Sequence, residues 1–232
     1  MSKILVTGSS SGLGAALARA LKLDGHEILT FDMAHGDDVR DPKARLDEVY
    51  GLSESAGELD YLINCAGVNL IGWIPEFTLY DWDTVMDTNA KGVFAMTQAL
   101  LPALRRSPHG GTVLNIVSNA AHMPMRCSTA YNASKAAALA VTKQMARELS
   151  PTTTVFSVSP NKLAGTAMSD SIDEQVVRTR GWTRQEAHDY QVNSMLTKME
   201  TPVHLVAEFI TYLLSSKENH QHLSGCDMPY GA

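Results

Sequence analysis

Residues 3–14 read Lys3-Ile4-Leu5-Val6-Thr7-Gly8-Ser9-Ser10-Ser11-Gly12-Leu13-Gly14, and they set the architecture of the chain. The first four residues are a short apolar run of the kind that forms a buried strand. The next eight form a turn rich in glycine and serine. Apolar residues then recur at helical spacing from Ala15 to Leu23. The stretch therefore predicts a strand, a tight turn and a helix in direct succession.

A second strand, Ile28 to Phe31, follows and completes a βαβ unit. Glycines in such a turn have a physical use, because the backbone must bend tightly, approach a pyrophosphate and let the helix pack on the strand. The N-terminus of the helix then offers free N–H groups and a positive dipole end to phosphates. The turn Thr7–Gly14 therefore predicts a dinucleotide-binding site.

Asp32 ends the second strand and indicates which dinucleotide is bound. An acidic side chain at this offset can accept hydrogen bonds from the adenosine ribose hydroxyls. It would also repel a 2′-phosphate, and no Arg or Lys lies in residues 8–14 or 33–36 to neutralise one. The sequence therefore favours NAD(H) over NADP(H).

The segment after Asp32 is short and polar. Residues 37–39 are predicted to form a brief third strand, and residues 43–56 a helix. Asp38 could accept from an adenine amino group or be a solvated loop acid, and the sequence leaves both readings open.

The same turn also matches the G-x-S-x-G pattern of a nucleophile elbow, as Gly8-Ser9-Ser10-Ser11-Gly12. This predicts a competing enzyme, a serine hydrolase with Ser10 as its nucleophile. The elbow would follow the first strand, however, so no earlier strand and loop could donate an oxyanion N–H. No particular Asp or His is marked as its partner.

A second chemical signal is Tyr131-Asn132-Ala133-Ser134-Lys135, at the head of an alanine-rich helix predicted over residues 130–149. Residues four apart share a helix face, so the Tyr131 phenol and the Lys135 ammonium can point into one space. A nearby cation lowers the pKa of a phenol, which is about 10 when free. A strand over residues 113–117 ends at Ser118 and would add a hydroxyl. An isolated pair of this kind is more often a half-buried tyrosine and a surface lysine.

The rest of the chain continues the alternation of strands and helices. The predicted strands are 59–63, 155–158 and 223–229. The predicted helices are 78–87, 90–104 and 203–214, with Gly92 indicating a bend or close packing. Residues 160–202 are predicted to form a polar helical excursion, or lid, on the substrate side.

Composition excludes several classes of protein. The 232 residues carry a net charge of −6, which argues against binding to nucleic acid or to an anionic membrane surface. The three cysteines are far apart, without a C-x-x-C pair, and the eight histidines lack metal-ligand spacing. We therefore expect no metal site, no disulfide framework and a cytoplasmic location. No apolar run approaches membrane-spanning length.

Taken together, these segments resemble the short-chain dehydrogenase/reductase family, in its T-G-x-x-x-G-x-G and Y-x-x-x-K subtype. The resemblance covers essentially the whole chain. The motifs stand in family order: Thr7-Gly8, Gly12, Gly14, Asp32, Asn64-Cys65-Ala66-Gly67, Asn89, Ser118, Tyr131 and Lys135. The resemblance implies one Rossmann-like α/β domain over residues 1–232, with a doubly wound parallel sheet and helices on both faces. It also implies an oxidoreductase that transfers a hydride between NAD(H) and an alcohol or carbonyl compound.

The resemblance implies four catalytic roles. Tyr131 would be the general acid or base, and Lys135 would hold the nicotinamide ribose and lower the pKa of Tyr131. Ser118 would hydrogen-bond the substrate oxygen, and Asn89 would hold a water linking Lys135 to solvent, unless it is only a helix-bend residue. The implied cofactor-binding residues are Gly8, Ser10, Gly12, Leu13, Gly14, Asp32, Asp38, Val39, Asn64, Ala66, Gly67, Tyr131, Lys135, Pro160 and Thr166.

The chain departs from the family pattern in three places. Pro160-Asn161 stands where the family has Pro-Gly, and Thr166 lies one place later than usual, so its nicotinamide contact is open. The region between the second and fourth strands is shortened, which would open the adenine pocket. Residues 227–232 replace a family ending that helps subunits to associate. We therefore expect a homo-oligomer, either a homotetramer or a homodimer.

Substrate contacts are expected from the loops after Ser118 and Gly67 and from the excursion. The chosen candidates are Ser118, His122, Met123, Tyr131 and Trp73, with Met125, Cys127, Met168 and Trp182 as further ones. His122 could instead be a pocket-edge or exposed residue. The mostly apolar set suits many small alcohols and ketones and selects none. A non-catalytic NAD(P)-binding regulatory protein on the same fold stays the second alternative, because fold does not fix function.

Overall fold

The computed structural model describes residues 1–42, 46, 57–108, 110–215 and 221–231. Its strands are β1 Lys3–Thr7, β2 Glu27–Phe31, β3 Tyr61–Asn64, β4 Gly111–Ile116, β5 Thr153–Pro160, β6 Leu163–Ala164, β7 Thr201–Pro202 and β8 Asp227–Tyr230. Six of them form one sheet in the order β2-β1-β3-β4-β5-β8, and every neighbouring pair is parallel. The parallel sheet that the sequence predicts is therefore confirmed.

Helices cover both faces of this sheet. They are α1 Gly12–Leu23, α2 Leu79–Met86, α3 Gly92–Arg106, α4 Thr129–Leu149, α5 Ala167–Arg180, α6 Arg184–Ser194 and α7 Val203–Ser215. Successive strand residues point to opposite faces, so Leu5 of β1 packs with α3 and α4, whereas Ile4 and Val6 pack with α1 and α7. Each fully buried side chain of this size contributes about 1.5 to 3 kcal/mol. The doubly wound α/β class follows from this two-sided burial and is also confirmed.

The predicted third strand over residues 37–39 is wrong. Local hydrogen bonds form turns there instead, because the Arg40 N–H donates to the Asp38 carboxylate at 2.9 Å and the Asp41 N–H donates to the Asp38 carbonyl at 3.1 Å. The predicted helix over residues 43–56 lies outside the described residues, apart from buried Leu46. The last strand begins at Asp227, because Gln221–Leu223 forms a 3₁₀ turn.

The bend expected near Gly92 is a π-helical turn. It covers Asp87–Lys91, between α2 and α3, and contains the buried residues Asn89 and Ala90. A Cβ at Gly92 would lie 2.9 Å from Cγ2 of Val39, so close packing explains this glycine. Single π-helical turns are frequent at functional sites.

The excursion predicted over residues 160–202 is mostly helical. It contains α5 and α6 and is joined at its ends by the short β6–β7 pair. Lys162 donates to Asp173 at 2.7 Å and forms an ion pair with Glu200 at 2.9 Å. The half-buried Asp173 and Glu200 thus tie α5 and the end of the excursion to the strand β5.

The carboxyl ends of β1 and β3 meet where the chain reverses its direction across the sheet, since β2 lies on one side of β1 and β3 on the other. Ligands of open α/β sheets bind at such a crevice. The Thr7 hydroxyl accepts from the N–H groups of Cys65 and Ala66, both at 3.0 Å, and so ties the two loops together. Within the described ranges, no helix has the length and apolar character needed to cross a bilayer.

Candidate active site

A cavity of about 320 Å³ lies at these strand ends. It brings together residues that the sequence marks from five distant segments. Those in its lining are Gly8, Gly12, Leu13, Gly14, Ala66, Gly67, Ser118, Met123, Tyr131, Lys135, Pro160 and Thr166. The cavity therefore joins the predicted phosphate site to the predicted catalytic residues.

The glycine turn is shaped by backbone contacts that exclude side chains. Gly8 has a φ of 67°, and a Cβ there would lie 2.8 Å from Cα of Ala66. A Cβ at Gly14 would lie 2.1 Å from the Gly8 carbonyl oxygen. Ser11 begins α1 without a side-chain cap, so the first N–H groups of the helix are not taken by its hydroxyl. The turn is thus a cradle of backbone donors that fits a pyrophosphate.

Asp32 lies beside this cradle, at the end of β2. Its carboxylate accepts from the Ser10 N–H at 2.9 Å and from the Ala34 N–H at 2.8 Å. Partial burial by itself raises the pKa of Asp32, but these hydrogen bonds outweigh it and hold the pKa below its usual value. Asp32 is therefore ionised at neutral pH and fixed in place. The Ser10 hydroxyl also hydrogen-bonds to the Asp32 carboxylate rather than to a histidine base.

The structure does not bring Asp38 and Val39 to the cavity lining. The Asp38 carboxylate accepts from Nε and Nη2 of Arg40 at 2.9 and 2.6 Å. This hydrogen bond with Arg40 holds the pKa of Asp38 low. Val39 is buried against Gly92.

Ser118 and Tyr131 lie side by side in the cavity lining. Ser118 follows β4 and accepts from the Ala120 N–H at 3.1 Å, which fixes its hydroxyl. Desolvation raises the pKa of Tyr131, and a hydrogen bond with Ser118 partly opposes the rise. The lowering of this pKa by Lys135, which the sequence predicts, is not found here. The ammonium nitrogen lies 5.9 Å from the centre of the phenol ring.

Lys135 is buried, one helical turn after Tyr131 on α4. Its Nζ donates to the Ile116 carbonyl oxygen at 2.9 Å. Desolvation lowers the pKa of Lys135 to about 8, and desolvation likewise raises the pKa of the neighbouring Cys65 thiol to about 12. At neutral pH the site therefore holds a cation and a neutral thiol.

Asn89, in the π-helical turn, is held by its whole carboxamide. Oδ1 accepts from the Val68 N–H at 2.9 Å, and Nδ2 donates to the Val68 carbonyl at 2.8 Å and to Ser134 Oγ at 3.0 Å. The Ser134 hydroxyl in turn donates to the Tyr131 carbonyl at 2.8 Å. Asn89 thus links the loop after β3 to the helix that carries Tyr131 and Lys135.

Asn64 occupies the interior rather than the cavity lining. Its Nδ2 donates to Oδ1 of Asn115 at 2.9 Å, and Asn115 donates in turn to Thr142 at 2.9 Å. This buried chain of hydrogen bonds joins β3, β4 and α4. Ala66 and Gly67, the next predicted contacts along the chain, do line the cavity.

The unusual Pro160-Asn161 step keeps its place in the cavity lining. Asn161 Nδ2 donates to the Gly231 carbonyl at 2.9 Å, which ties the end of β5 to the C-terminal segment. Asn161 is not among the residues with positive φ, so the turn does not use the left-handed conformation. Thr166 caps α5 by accepting from the Ser169 N–H, and its methyl group lies near Gly12. Thr166 is therefore placed between the glycine turn and the excursion.

On the substrate side, Met123, Met125 and Met168 line the cavity, whereas His122, Trp73, Cys127 and Trp182 are outside its lining. His122 Nε2 lies 2.8 Å from the buried carboxylate of Asp227. Trp73 donates to the Thr179 carbonyl at 3.0 Å and so holds α5. Both side chains support the walls of the site.

Sequence reasoning missed Ser134 and Arg180. Ser134 directly precedes Lys135 and could have been found as a polar residue on the buried face of α4. Arg180 lines the cavity from the end of α5, and only tertiary packing places it there.

Among the described residues, one group has the composition of a metal site: Asp173, His188 and Glu200. The Lys162 ammonium is already bound by both of its carboxylates. A second cation would be repelled by this one, so the group is better explained as an ionic clamp.

The residues of the cavity fit a nicotinamide dinucleotide. The glycine cradle fits the pyrophosphate, Asp32 is ionised where ribose hydroxyls are expected, and Lys135 lies beside Tyr131 where the nicotinamide ribose is expected. No acidic side chain among the described residues lines the cavity to repel the phosphates.

Comparison with known proteins agrees with this geometry. The sequence profile of the short chain dehydrogenase family matches residues 30–177. The chain is 29% identical to the NADP-dependent 3-hydroxy acid dehydrogenase of Shigella flexneri, over 84% of this chain and 83% of that protein. It is 27% identical to the D-beta-hydroxybutyrate dehydrogenase of Rhizobium meliloti, over 90% of each. An NAD+-bound xylitol dehydrogenase has the same fold, with a TM-score of 0.88, 21% identity and coverage of 100% of this chain and 98% of that one. The chain is therefore an oxidoreductase of the short-chain dehydrogenase/reductase family.

Proposed function

We propose that this protein transfers a hydride between NAD(H) and an alcohol or carbonyl compound, with Tyr131 as the general acid and base. The observation that carries the proposal is that Ser118, Tyr131 and Lys135 line one cavity with the glycine cradle. A proton-transfer group and a dinucleotide site in one cavity are what coupled hydride and proton transfer requires.

The chain's own residues would manage the proton and the substrate oxygen. When bound, the dinucleotide supplies the hydride acceptor for oxidation or the hydride donor for reduction. During oxidation, Tyr131 Oη takes the hydroxyl proton as the C–H bond breaks and the carbonyl forms. During reduction, Tyr131 Oη returns a proton to that oxygen. Ser118 Oγ holds the oxygen and steadies the charge that develops on it.

Lys135 and Asn89 would support this proton transfer. The Lys135 ammonium offers donors to the ribose hydroxyls and holds the nicotinamide ribose beside Tyr131. Asn89 fixes the Val68 loop and Ser134, and we assign it the water that links Lys135 to solvent. Its Oδ1 and the Lys135 Nζ would lie 3.2 and 3.7 Å from a Cβ at Gly67, so both border the space beside this glycine.

Two acids support NAD(H) as the cofactor. Asp32 is ionised and fixed, and its charge would oppose a 2′-phosphate. Arg40 is a nearby cation in sequence, but its guanidinium forms an ion pair with Asp38 at 2.6 Å. The dependence of the Shigella relative on NADP makes the choice a matter for direct measurement.

The two alternatives receive different support. The structure favours the serine hydrolase less, because the Ser10 hydroxyl hydrogen-bonds to the Asp32 carboxylate and not to a histidine. Covalent labelling of Ser10 by a fluorophosphonate would restore it. If the protein is a non-catalytic dinucleotide-binding protein, the cluster of Ser118, Tyr131 and Lys135 has no chemical role. A Tyr131→Phe variant with unchanged biological activity would favour this alternative.

Thermal unfolding with NADH, NADPH or no ligand tests the cofactor. A ligand at a hundred times its Kd adds about 2.7 kcal/mol to the free energy of unfolding. We expect NADH to stabilise the protein more than NADPH. Equal or greater stabilisation by NADPH would contradict the assignment of Asp32.

Turnover of a panel of alcohols and ketones tests the chemistry. Tyr131→Phe should lower kcat by about 10² to 10⁴, because general acid–base catalysis contributes a factor of this size. NADH binding should persist in this variant. A Tyr131→Phe enzyme with full kcat would remove Tyr131 from the mechanism.

A further inference from the structure

Arg180 is a cation of the substrate side, and no carboxylate of the described residues neutralises it. It ends α5 and lines the cavity that holds Tyr131. Among the described residues, no carboxylate lies within ion-pair distance of its guanidinium. The buried Nε and Nη1 also have no hydrogen-bond partner within this part of the chain.

The guanidinium is nevertheless held firmly. Nη2 donates to the Arg126 carbonyl at 2.6 Å, on the loop that follows Ser118. The central carbon lies over the rings of Trp182 and Tyr190, at 4.8 and 5.0 Å from their centres. Ring faces attract the positive charge, but they do not replace the acceptors that the N–H groups lack. The position of Arg180 is thus fixed while donors stay unused.

An arrangement of this kind costs stability unless a ligand uses it. A buried donor without a partner destabilises the folded state, and the cost is greater when the group is charged. A guanidinium has five N–H donors in a planar fork that matches a carboxylate. The unused donors therefore point to an anionic acceptor.

The other charged residues of the cavity lining also favour an anionic ligand at Arg180. Its lining contains Lys135, Lys162 and Arg180 but, within the described ranges, no Asp or Glu. Lys162 is neutralised by Asp173 and Glu200, and Lys135 lies beside Tyr131. Arg180 is left as the cation available to a second group of the substrate.

Arg180 is also placed on the substrate side and not at the phosphates. Its contacts are the loop after Ser118 and the aromatic residues of the excursion. The phosphate cradle instead consists of the turn between β1 and α1. Apolar side chains in the same lining, Ile71, Ile172, Val176 and Met195, would surround the carbon skeleton of a substrate.

We infer that Arg180 binds a carboxylate-sized anion of the substrate, so that the substrates are hydroxy acids or keto acids rather than neutral alcohols. This inference rests on the proposed function, since it names the substrate class of the same site. Arg180 would be a specificity-determining residue, and Tyr131 would act on a hydroxyl or carbonyl of the same molecule.

The test compares acids with their methyl esters. The probes are 3-hydroxybutyrate, 3-hydroxyhexanoate and 2-hydroxyhexanoate, each beside its methyl ester, with NAD+ as cofactor. We expect kcat/KM to favour at least one acid over its ester by about tenfold to a hundredfold, which is the usual effect of a charge-assisted hydrogen bond. Wild type with every ester equal to or better than its acid would overturn the inference.

Variants of two arginines on one helix separate binding from structure. Arg180→Gln should reduce the preference for the acid by about tenfold or more, while kcat/KM for the ester changes little, and Arg180→Lys should restore part of it. Arg178→Gln is the matched control, because Arg178 is exposed on the same helix. An equal loss for acid and ester in Arg180→Gln, or an equal effect in Arg178→Gln, would mean a structural or long-range charge effect and would reject the inference.

A binding measurement distinguishes failure of the inference from failure of the proposed function. Melting temperature is recorded with NADH plus each acid or ester. Stabilisation by an acid that is lost in Arg180→Gln supports the anion site even without turnover, and absence of turnover then counts against the proposed chemistry. Oxidation of the esters with no selective binding of the acids leaves the chemistry intact and rejects the anion site.

Discussion

The two ends of the cavity are built in different ways. The phosphate end is a single turn of eight consecutive residues, shaped by backbone contacts around Gly8 and Gly14. The substrate end joins distant segments by side chains, as in the hydrogen bonds from the Ile71 N–H to Gln175 Oε1 and from Trp73 to the Thr179 carbonyl. The phosphate end is therefore fixed by residues that are neighbours along the chain. The substrate end instead depends on a few polar and ionic contacts between α5 and distant segments.

The substitution with the largest expected effect, Gly14→Ala, disrupts the phosphate end of the cavity. In Gly14→Ala, a Cβ 2.1 Å from the Gly8 carbonyl oxygen forces the backbone of the turn to move. We expect a loss of several kcal/mol in the free energy of unfolding, by the overpacking mechanism, and no detectable binding of NADH. Denaturant unfolding and NADH fluorescence titration measure the two effects.

Gly25→Ala is the matched control at the other end of α1. A Cβ there meets no atom within 4 Å, although φ is 85°. The cost should stay at about 1 to 2 kcal/mol, from the left-handed backbone alone. Equal losses in the two variants would mean that close packing at Gly14 has no special importance.

The next effect concerns Lys135, where the two ends meet. Burial lowers its pKa to about 8 in the folded protein from 10.5 in the unfolded chain. Below pH 8 both states hold the proton, so the folded state carries the full cost of a buried cation. Between pH 8 and pH 10.5 the unfolded state holds the Lys135 proton that the folded state has lost, so Lys135 by itself makes stability increase with pH in this window.

Lys135 alone contributes a gain on the order of 3 kcal/mol over the full window, because one pKa unit corresponds to about 1.4 kcal/mol. The pKa of the Cys65 thiol is raised from 9.0 to about 12, so Cys65 opposes this gain from pH 9 upward, and Tyr61 and Tyr131, whose pKa values are also raised, oppose it above pH 10. Lys135→Met should be more stable than wild type at pH 7, lose turnover and show no gain from pH 8 to pH 10. An identical pH profile in the variant would refute the buried-cation account.

A substitution with a smaller expected effect, Lys162→Gln, should weaken only the substrate end of the cavity. Lys162→Gln removes the cation that neutralises Asp173 and Glu200 and loosens the excursion. We expect KM for the substrate to rise about tenfold, since charged hydrogen bonds contribute about 1.5 to 3 kcal/mol. The Kd of NADH should change little. Steady-state kinetics and NADH titration measure the two constants.

Arg184→Gln supplies the control on the same excursion. Its ion pair with Glu174 is 3.4 Å long and lies largely in solvent. Exposed pairs of this kind contribute about 0 to 1 kcal/mol, so KM should not change. A weaker NADH affinity in Lys162→Gln, with KM unchanged, would show that the two ends are not independent.

The smallest expected effect concerns the preference for NADH over NADPH at the phosphate end. Asp32→Ala removes the charge that opposes a 2′-phosphate and should narrow the difference between NADH and NADPH affinity. The change should be about 1 kcal/mol, because Asp32 is partly exposed and its field is screened. Unaltered Kd values for both cofactors would show that Asp32 does not select between them.

Sequence reasoning succeeded where neighbours along the chain act on one another. Turn glycines, strand ends and the four-residue spacing of Tyr131 and Lys135 follow from short-range geometry, and the structure places both side chains in one cavity. It failed at residues 37–39, where side-chain hydrogen bonds of Asp38 replaced a strand. It also placed Trp73 and His122 at the substrate, although each supports a wall through one specific partner.

By itself the sequence determined the parallel α/β fold, the family, the glycine turn and the spacing that places Tyr131 and Lys135 on one helix face. These depend on periodicity and on spacings within one turn or one helix, which the order of residues fixes directly. Only the tertiary structure decided that burial and not Lys135 dominates the pKa of Tyr131, and that Asn89 is locked to Val68 and Ser134. It also decided that Arg180 lines the cavity with two N–H groups that have no hydrogen-bond partner among the described residues. Desolvation and long-range hydrogen bonding depend on which distant segments meet, and that is set by packing of the whole chain.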